Sequence, residues 1–215
     1  VENKGGGLIM AINAKEFDKI AREVFAPIYP VLAEQMINHT GISQGLCLDV
    51  GCGSGYLGLA LARVSQLEVV LFDESSDMLE LAEGYIHESA LGSRVKTLKG
   101  DVHGIPLDSE TIQLAVSRGS MFFWNDRVQA FREIYRVLAV GGAAMIGGGF
   151  GNADLLREVE AKMLERDPEW KEKRRQRIGQ SKVQDYREEL ERAGIPSFEI
   201  LQDESGLWVV MRRIA

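Results

Sequence analysis

The sequence predicts an α/β fold: a doubly wound, mostly parallel sheet of about seven strands, with helices on both faces. Three features point there. Short apolar runs alternate with stretches of helical periodicity across residues 46–146. The first run meets a glycine cluster that opens onto a helical segment. Near the carboxyl end, residues 198–201 and 207–211 read as strands with only the turn Asp203-Glu204-Ser205-Gly206 between them, so they pair as an antiparallel hairpin at one sheet edge.

Each element has its own signal. Phe17, Ile20, Ala21 and Val24 recur at helical spacing from Lys15 until Pro27, and a second helix after Pro30 carries Leu32, Met36 and Ile37. Residues 46–50 form the first strand and 57–64 the helix behind it. Strand 67–72 ends at Asp73, where Ser75 or Ser76 caps a helix with Met78, Leu81, Ala82, Tyr85 and Ile86 inward. Strand 95–98 ends at Gly100-Asp101. Strand 112–117 precedes a helix capped near Asn125 or Asp126, with Val128, Phe131, Ile134 and Leu138 inward. Gly141-Gly142 breaks that helix before strand 143–146. Residues 154–166 and 181–192 are helical, the latter with Ser181 and Gln184 as a capping box and Gly194 then Pro196 as its stop. The expected organisation is a disordered lead over 1–14 and one domain over 15–215, with amino-terminal helices at 15–40 and a helical cap at about 152–193.

A chain of 215 residues and 23.8 kDa suits such a domain and needs no metal or disulfide staple. With 25 basic and 32 acidic residues, a net charge of −7 and a pI near 5.1, it lacks the basic balance of a nucleic-acid or anionic-membrane binder. Cys47 and Cys52 complete neither a zinc set nor a disulfide framework, and point to a reducing cytoplasm. The longest uncharged stretch, 137–153, holds six glycines and is shorter than the roughly 20 apolar residues of a membrane span. The amino end has neither the basic nor the apolar region of a secretory signal. The expected state is a monomer or homodimer.

In a doubly wound sheet the ligand sits outside the carboxyl ends of the strands. The first strand brings Asp49 and then Gly51, Cys52, Gly53 and Gly55, whose backbone N–H groups approach a ligand closely. The second brings Asp73, 22 residues beyond Gly51 and placed to take both hydroxyls of a ribose. The third brings Asp101, Val102 and His103, and the fourth Ser117 and Arg118 before the run Met121-Phe122-Phe123-Trp124. A nucleoside cofactor follows. Gly53-Ser54-Gly55-Tyr56-Leu57-Gly58 fits the dinucleotide fingerprint and admits NAD. Against NAD stands Asp49, an acid that would repel a pyrophosphate and that suits a cofactor with an ammonium group and no phosphate.

Leu48-Asp49-Val50-Gly51-Cys52-Gly53-Ser54-Gly55 resembles the first motif of class I S-adenosyl-L-methionine-dependent methyltransferases. Phe72-Asp73-Glu74-Ser75-Ser76-Asp77-Met78-Leu79 is similar to their second, and Gly100-Asp101-Val102-His103-Gly104-Ile105-Pro106-Leu107 to their third. Residues 131–142 resemble the helix and turn before their fifth strand. The likeness spans about residues 30–212, with the motif order of the small-molecule, ubiquinone/menaquinone-methyltransferase-like type and a Rossmann-like fold. It implies S-adenosyl-L-methionine as cofactor, S-adenosyl-L-homocysteine as product and a small-molecule acceptor. Gly51, Gly53 and neighbouring amides would line the methionine portion and Asp49 would orient its amino group. Asp73 would bind the ribose, with Glu74 and Met78 beside ribose and adenine. Asp101 would accept from the adenine amino group between Val102 and His103, Ser117 and Arg118 would close the methionine side, and Tyr29 would cover the cofactor.

Plainer readings stand beside these. His103 also reads as a loop histidine and Arg118 as the partner of an acid. Phe122, Phe123 and Trp124 read as core or as pocket wall, with Phe123 and Trp124 the candidates to line the acceptor site together with Gly149 and Phe150. Gly147-Gly148-Gly149-Phe150-Gly151 reads as a mobile lid, a close approach to ligand or a loose connection. The run Lys171 to Arg177 reads as a solvated helix face. The Asn/Asp-Pro-Pro-aromatic motif of enzymes that methylate base or glutamine amino groups is replaced by Ser117-Arg118-Gly119-Ser120, which counts against a nucleic-acid substrate. No residue reads as a dedicated base, and none is required where orientation lowers the barrier. A non-catalytic S-adenosylmethionine-binding or sensor protein and a nicotinamide oxidoreductase are the alternatives.

Overall fold

The computed structural model describes residues 14–179 and 183–214. Residues 1–13 of the expected lead, and Ser181 of the expected capping box, lie outside the described residues. The strands are β1 (Gln44–Val50), β2 (Gln66–Asp73), β3 (Val95–Lys99), β4 (Ile112–Arg118), β5 (Leu138–Gly149), β6 (Phe198–Asp203) and β7 (Gly206–Arg212). They form one sheet in the order β3-β2-β1-β4-β5-β7-β6. β1 to β5 pair in parallel, and β7 lies antiparallel between β5 and β6, so the expected hairpin is present with its second strand inward. The strand order reverses between β1 and β4, which opens a crevice outside their carboxyl ends.

The helices are α1 (Ala14–Ile20), which runs into a π-helical turn (Ala21–Phe25), then α2 (Ile28–Thr40), α3 (Tyr56–Val64), α4 (Ser76–Glu88), α5 (Arg127–Val137), α6 (Ala153–Arg166), α7 (Trp170–Gly179) and α8 (Val183–Arg192). Ser75 caps α4 by accepting the Met78 N–H, and Asp126 caps α5 through Gln129. α2 begins at Ile28, earlier than expected. Pro30 falls in its first turn, where a missing N–H breaks no helical bond. Among the described residues no helix is long and apolar enough to cross a membrane.

Strand alternation divides the interior into two cores. Cys47, Val69, Leu71, Leu114, Val116 and Met145 face α2, α3, α4 and α6, whereas Leu48, Val50, Val70, Phe72, Ala115 and Ile146 face α5 and α8. α8 therefore does not belong to a cap: Tyr186 and Leu190 bury it against the α5 side of the sheet. Leu138 starts β5 instead of ending the helix.

The glycine run after residue 146 is strand, not lid. Gly147, Gly148 and Gly149 pair with Trp208, Leu207 and Gly206. A Cβ at Gly147 would overlap the Leu207 carbonyl oxygen and lie 2.9 Å from Trp208 Cα. Glycine is needed here so that β7 can lie close, with the Trp208 indole across the strand.

Candidate active site

Alternation along β1 turns the Asp49 carboxylate toward α3, where its Oδ2 accepts the Gly58 N–H at 2.9 Å. That amide is one of the free donors of the first helical turn, so the strand end caps the helix. Asp49 is 1% exposed. Burial pushes its carboxyl up to about 7, against the Gly58 hydrogen bond and with help from the nearby Asp73 charge.

The loop between β1 and α3 curls through three left-handed glycines, Gly51, Gly53 and Gly55, at φ of 66°, 55° and 88°. Gly51 and Cys52 both donate to the Phe72 carbonyl, at 2.8 and 3.1 Å. Gly53 N–H donates to Asp73 Oδ2 and Ser75 N–H to Asp73 Oδ1, each at 2.9 Å, so Asp73 braces the glycine loop and the start of α4 together. Glu74 is exposed beside it, and Met78 is half-buried in the first turn of α4. Cys52 donates its thiol to Gly53 O, and burial raises its pKa. Ser54 is 2% exposed, and its hydroxyl has no hydrogen-bond partner among the described residues.

Ser117 and Arg118 are split by the alternation of β4. Ser117 is fully buried and shares a hydrogen bond with Ser120 at 2.9 Å, while Ser120 donates to Val50 O and occupies the space where a Gly51 Cβ would stand. This serine pair supports the glycine loop from beneath. Arg118 emerges on the Asp49 side of the sheet, its guanidinium carbon 4.7 Å from the Phe25 ring centroid, 5.3 Å from Phe150 and 5.8 Å from Tyr29. Its Nε donates to Gly149 O at 3.3 Å. Burial lowers its pKa, and the neighbouring Tyr29 phenol opposes that. The paired acid foreseen as the plain alternative for Arg118 is not found among the described residues. Tyr29 stacks on Tyr56 at 5.4 Å and 16°. Its own phenol is pushed up by burial, with Arg118 pulling down and the Asp49 charge adding to the rise.

At the other end, Asp101 Oδ1 accepts the His103 N–H at 2.9 Å and lies 2.5 Å from His103 Nδ1. The backbone bond is the main reason its carboxyl is held below the ordinary range. His103 Nε2 faces the Asp126 N–H at 3.3 Å and accepts from it, which leaves the ring proton on Nδ1 toward Asp101. His103 is thus a strut between two loops, in line with its plainer reading. Val102 is buried in the α5-side core.

The aromatic run after β4 divides. Phe122 packs against Gly148, Phe123 is 47% exposed, and Trp124 meets Phe131 edge-on at 6.1 Å under α5. The wall around Arg118 is built by Phe25, Tyr29 and Phe150, of which Phe25 carried no assignment in the sequence. Gly149 contributes its carbonyl and Phe150 its ring. Phe17 was also read only as a helical stripe, yet its ring lies 3.6 Å from where a Gly53 Cβ would be, so α1 lies over the glycine loop. Tyr85 ties α1 to α4 by donating to Asp18 Oδ2 at 2.8 Å. A second groove of about 810 Å³ lies between α2 and the β6–β7 hairpin, lined by Gln35, His39, Leu201, Asp203 and Trp208, and it shares no wall with Asp49, Asp73 or Asp101. No group of three or more His, Cys, Asp or Glu among the described residues is placed to hold a metal.

Comparison with known proteins bears on this geometry. Residues 47–142 match the family of the methyltransferase domain. A crystal structure from Methanococcus maripaludis, assigned as an S-adenosyl-L-methionine-dependent methyltransferase, is 43% identical, with a TM-score of 0.90 over 94% of this chain and 92% of that one. YdaC of Bacillus subtilis, an uncharacterised methyltransferase, is 30% identical over 129 residues, 59% of this chain and 69% of its own. The chain belongs to the class I S-adenosyl-L-methionine-dependent methyltransferases. A 2-methyl-6-phytyl-1,4-hydroquinone methyltransferase of rice chloroplasts is 36% identical over 102 residues, and the chain spans only 30% of that relative's length.

The methyltransferase crevice fits the family's cofactor. The left-handed glycines leave a cradle without side chains, and the buried Ser54 hydroxyl within this loop lacks a partner among the described residues. Asp49 beneath the loop favours an ammonium group over a pyrophosphate.

Proposed function

We propose that the protein transfers the methyl group of S-adenosyl-L-methionine to a small-molecule acceptor, releasing S-adenosyl-L-homocysteine. The reading is carried by one observation: Asp49, Asp73 and Asp101 stand at or just beyond the carboxyl ends of three neighbouring parallel strands, around the Gly51–Gly55 loop. When bound, the cofactor supplies a methyl group activated on a sulfonium, and the protein's part is binding, orientation and exclusion of water. Asp73 is assigned to the ribose hydroxyls, with Glu74 and Met78 beside it. Asp101 is assigned to the adenine amino group between Val102 and His103, and Asp49 to the methionine ammonium. The amides of Gly51, Cys52, Gly53 and Gly55 line the methionine chain. Tyr29 and Phe17 close over it, and Ser117 and Arg118 bound it on the β4 side. The Cys47 and Cys52 thiols are both free, which supports a reducing cytoplasmic setting.

Replacing Asp73 tests the assignment. Asp73→Ala removes the ribose acceptor and the brace to Gly53 and Ser75, so S-adenosyl-L-homocysteine binding should weaken by about 1–3 kcal/mol in calorimetry. Undiminished affinity would show the ribose site to be elsewhere. Release of S-adenosyl-L-homocysteine with a panel of quinols, phenols, thiols and carboxylic acids then tests transfer. Tight cofactor binding with no turnover on any of them would favour the binding-protein alternative.

A further inference from the structure

Resting on that reading, we propose that the methyl acceptor carries a carboxylate or phosphate group, held between Arg118 and Arg174 beside Phe150. Arg118 comes from the end of β4 and Arg174 from α7. Their guanidinium carbons lie 5.3 and 4.7 Å from the same Phe150 ring centroid, so they are at most 10 Å apart. A carboxylate or phosphate held by both would set the two guanidinium carbons about 8 Å apart, within that bound, and guanidinium groups present planar pairs of donors to such anions.

The charges here are not balanced from within. Arg118 has no carboxylate within 4 Å among the described residues; its partners are the Gly149 carbonyl and three aromatic rings. Arg174 has a buried Nε with no partner among the described residues. Its one carboxylate, Glu160, lies at the long distance of 3.4 Å and is shared with Lys171 at 2.9 Å. Arg174 and Lys171 therefore share one acid and Arg118 pairs with none among the described residues, in a chain whose net charge is −7. The Phe25, Tyr29, Phe150 and Trp170 rings pack around the two guanidinium groups, and such ring contacts do not occupy the in-plane N–H donors. A cation held this way without a counter-charge is costly, and an arriving anion removes the cost. The location suits the acceptor. Arg118 packs on Tyr29, the ring assigned to cover the cofactor, so the pair stands beside the cofactor crevice. The run Lys171 to Arg177 is accordingly not solvated throughout: Lys171, Lys173 and Arg175 pair with surface acids, while Arg174 turns inward.

The test uses the full chain saturated with S-adenosyl-L-homocysteine, so that the cofactor's own carboxylate is already placed. Sodium malonate and sodium phosphate are titrated separately, with sodium chloride at matched ionic strength as control. Trp170, 5.7 Å from the Arg174 guanidinium, reports through its fluorescence. The expected result is a saturable change with malonate, phosphate or both, absent with chloride and lost in Trp170→Phe. Arg174→Gln should weaken it by about tenfold or more, and Arg174→Lys, which keeps the charge, by less. Binding of S-adenosyl-L-homocysteine by Arg174→Gln reports that the variant is folded. A response to neither anion, or one unchanged in Arg174→Gln, overturns the proposal. Failure of the wild type to bind S-adenosyl-L-homocysteine would instead overturn the methyltransferase reading beneath it.

Discussion

Replacing Asp49 by asparagine should stabilise the protein at high pH and cost it cofactor affinity. In the folded chain, burial lifts the Asp49 carboxyl from its ordinary 3.8 to about 7. Between those values the folded state holds a proton that the unfolded chain has released. The contribution to stability is therefore full below about pH 4 and is lost as pH rises through about 7. At about 1.36 kcal/mol per pH unit, the ionised carboxylate costs the fold about 4 kcal/mol at alkaline pH. Asparagine keeps an oxygen for the Gly58 N–H and cannot ionise. Urea unfolding should find Asp49→Asn more stable than wild type by about 2 kcal/mol near pH 5, rising to about 4 kcal/mol near pH 8.5. The same variant should bind S-adenosyl-L-homocysteine more weakly, because the ammonium loses its carboxylate. Wild-type binding near pH 6.5 should release up to about one proton, read as a dependence of the calorimetric enthalpy on buffer. A stability difference equal at both pH values, or binding with no proton release, would refute the reasoning.

The other expectations concern particular contacts. Gly147→Ala should cost more than about 3 kcal/mol in urea unfolding, because its Cβ meets the backbone of Leu207 and Trp208, whereas Gly148→Ala should cost less because it meets only the Phe122 ring, which can turn aside. Phe17→Ala removes a ring that is 42% exposed and should change stability by less than about 1 kcal/mol while speeding S-adenosyl-L-homocysteine dissociation in stopped-flow by about tenfold. Glu189→Gln breaks the two-pronged contact with Arg127 at 2.6 and 2.8 Å between α8 and α5 and should cost about 1 kcal/mol without altering cofactor affinity.

The parts of this protein that depend on local pattern were legible in its sequence. Strand runs, helix caps at Ser75 and Asp126, and acids at strand ends all declare themselves within a few residues, and the crevice is assembled from such ends. What depends on distant partners was not legible. Gly147 to Gly149 read as a loop because glycine disfavours strands, and only the approach of β7 with Trp208 explains why glycine is required there. Pro30 read as a helix boundary although its place in the first turn makes it harmless. Arg174 sits in a charge run whose neighbours are solvated, and nothing local marks the one side chain that turns onto Phe150. Phe17 looked like core, yet the fold lays it across the glycine loop. Trp124 packs on α5, as the core reading of the aromatic run after β4 has it.

The most direct test of the central claim is parallel calorimetric titration of the purified protein with S-adenosyl-L-methionine, S-adenosyl-L-homocysteine and NAD. The account expects micromolar binding of the first two and none of NAD. Binding of NAD alone would contradict it and return the glycine loop to a dinucleotide.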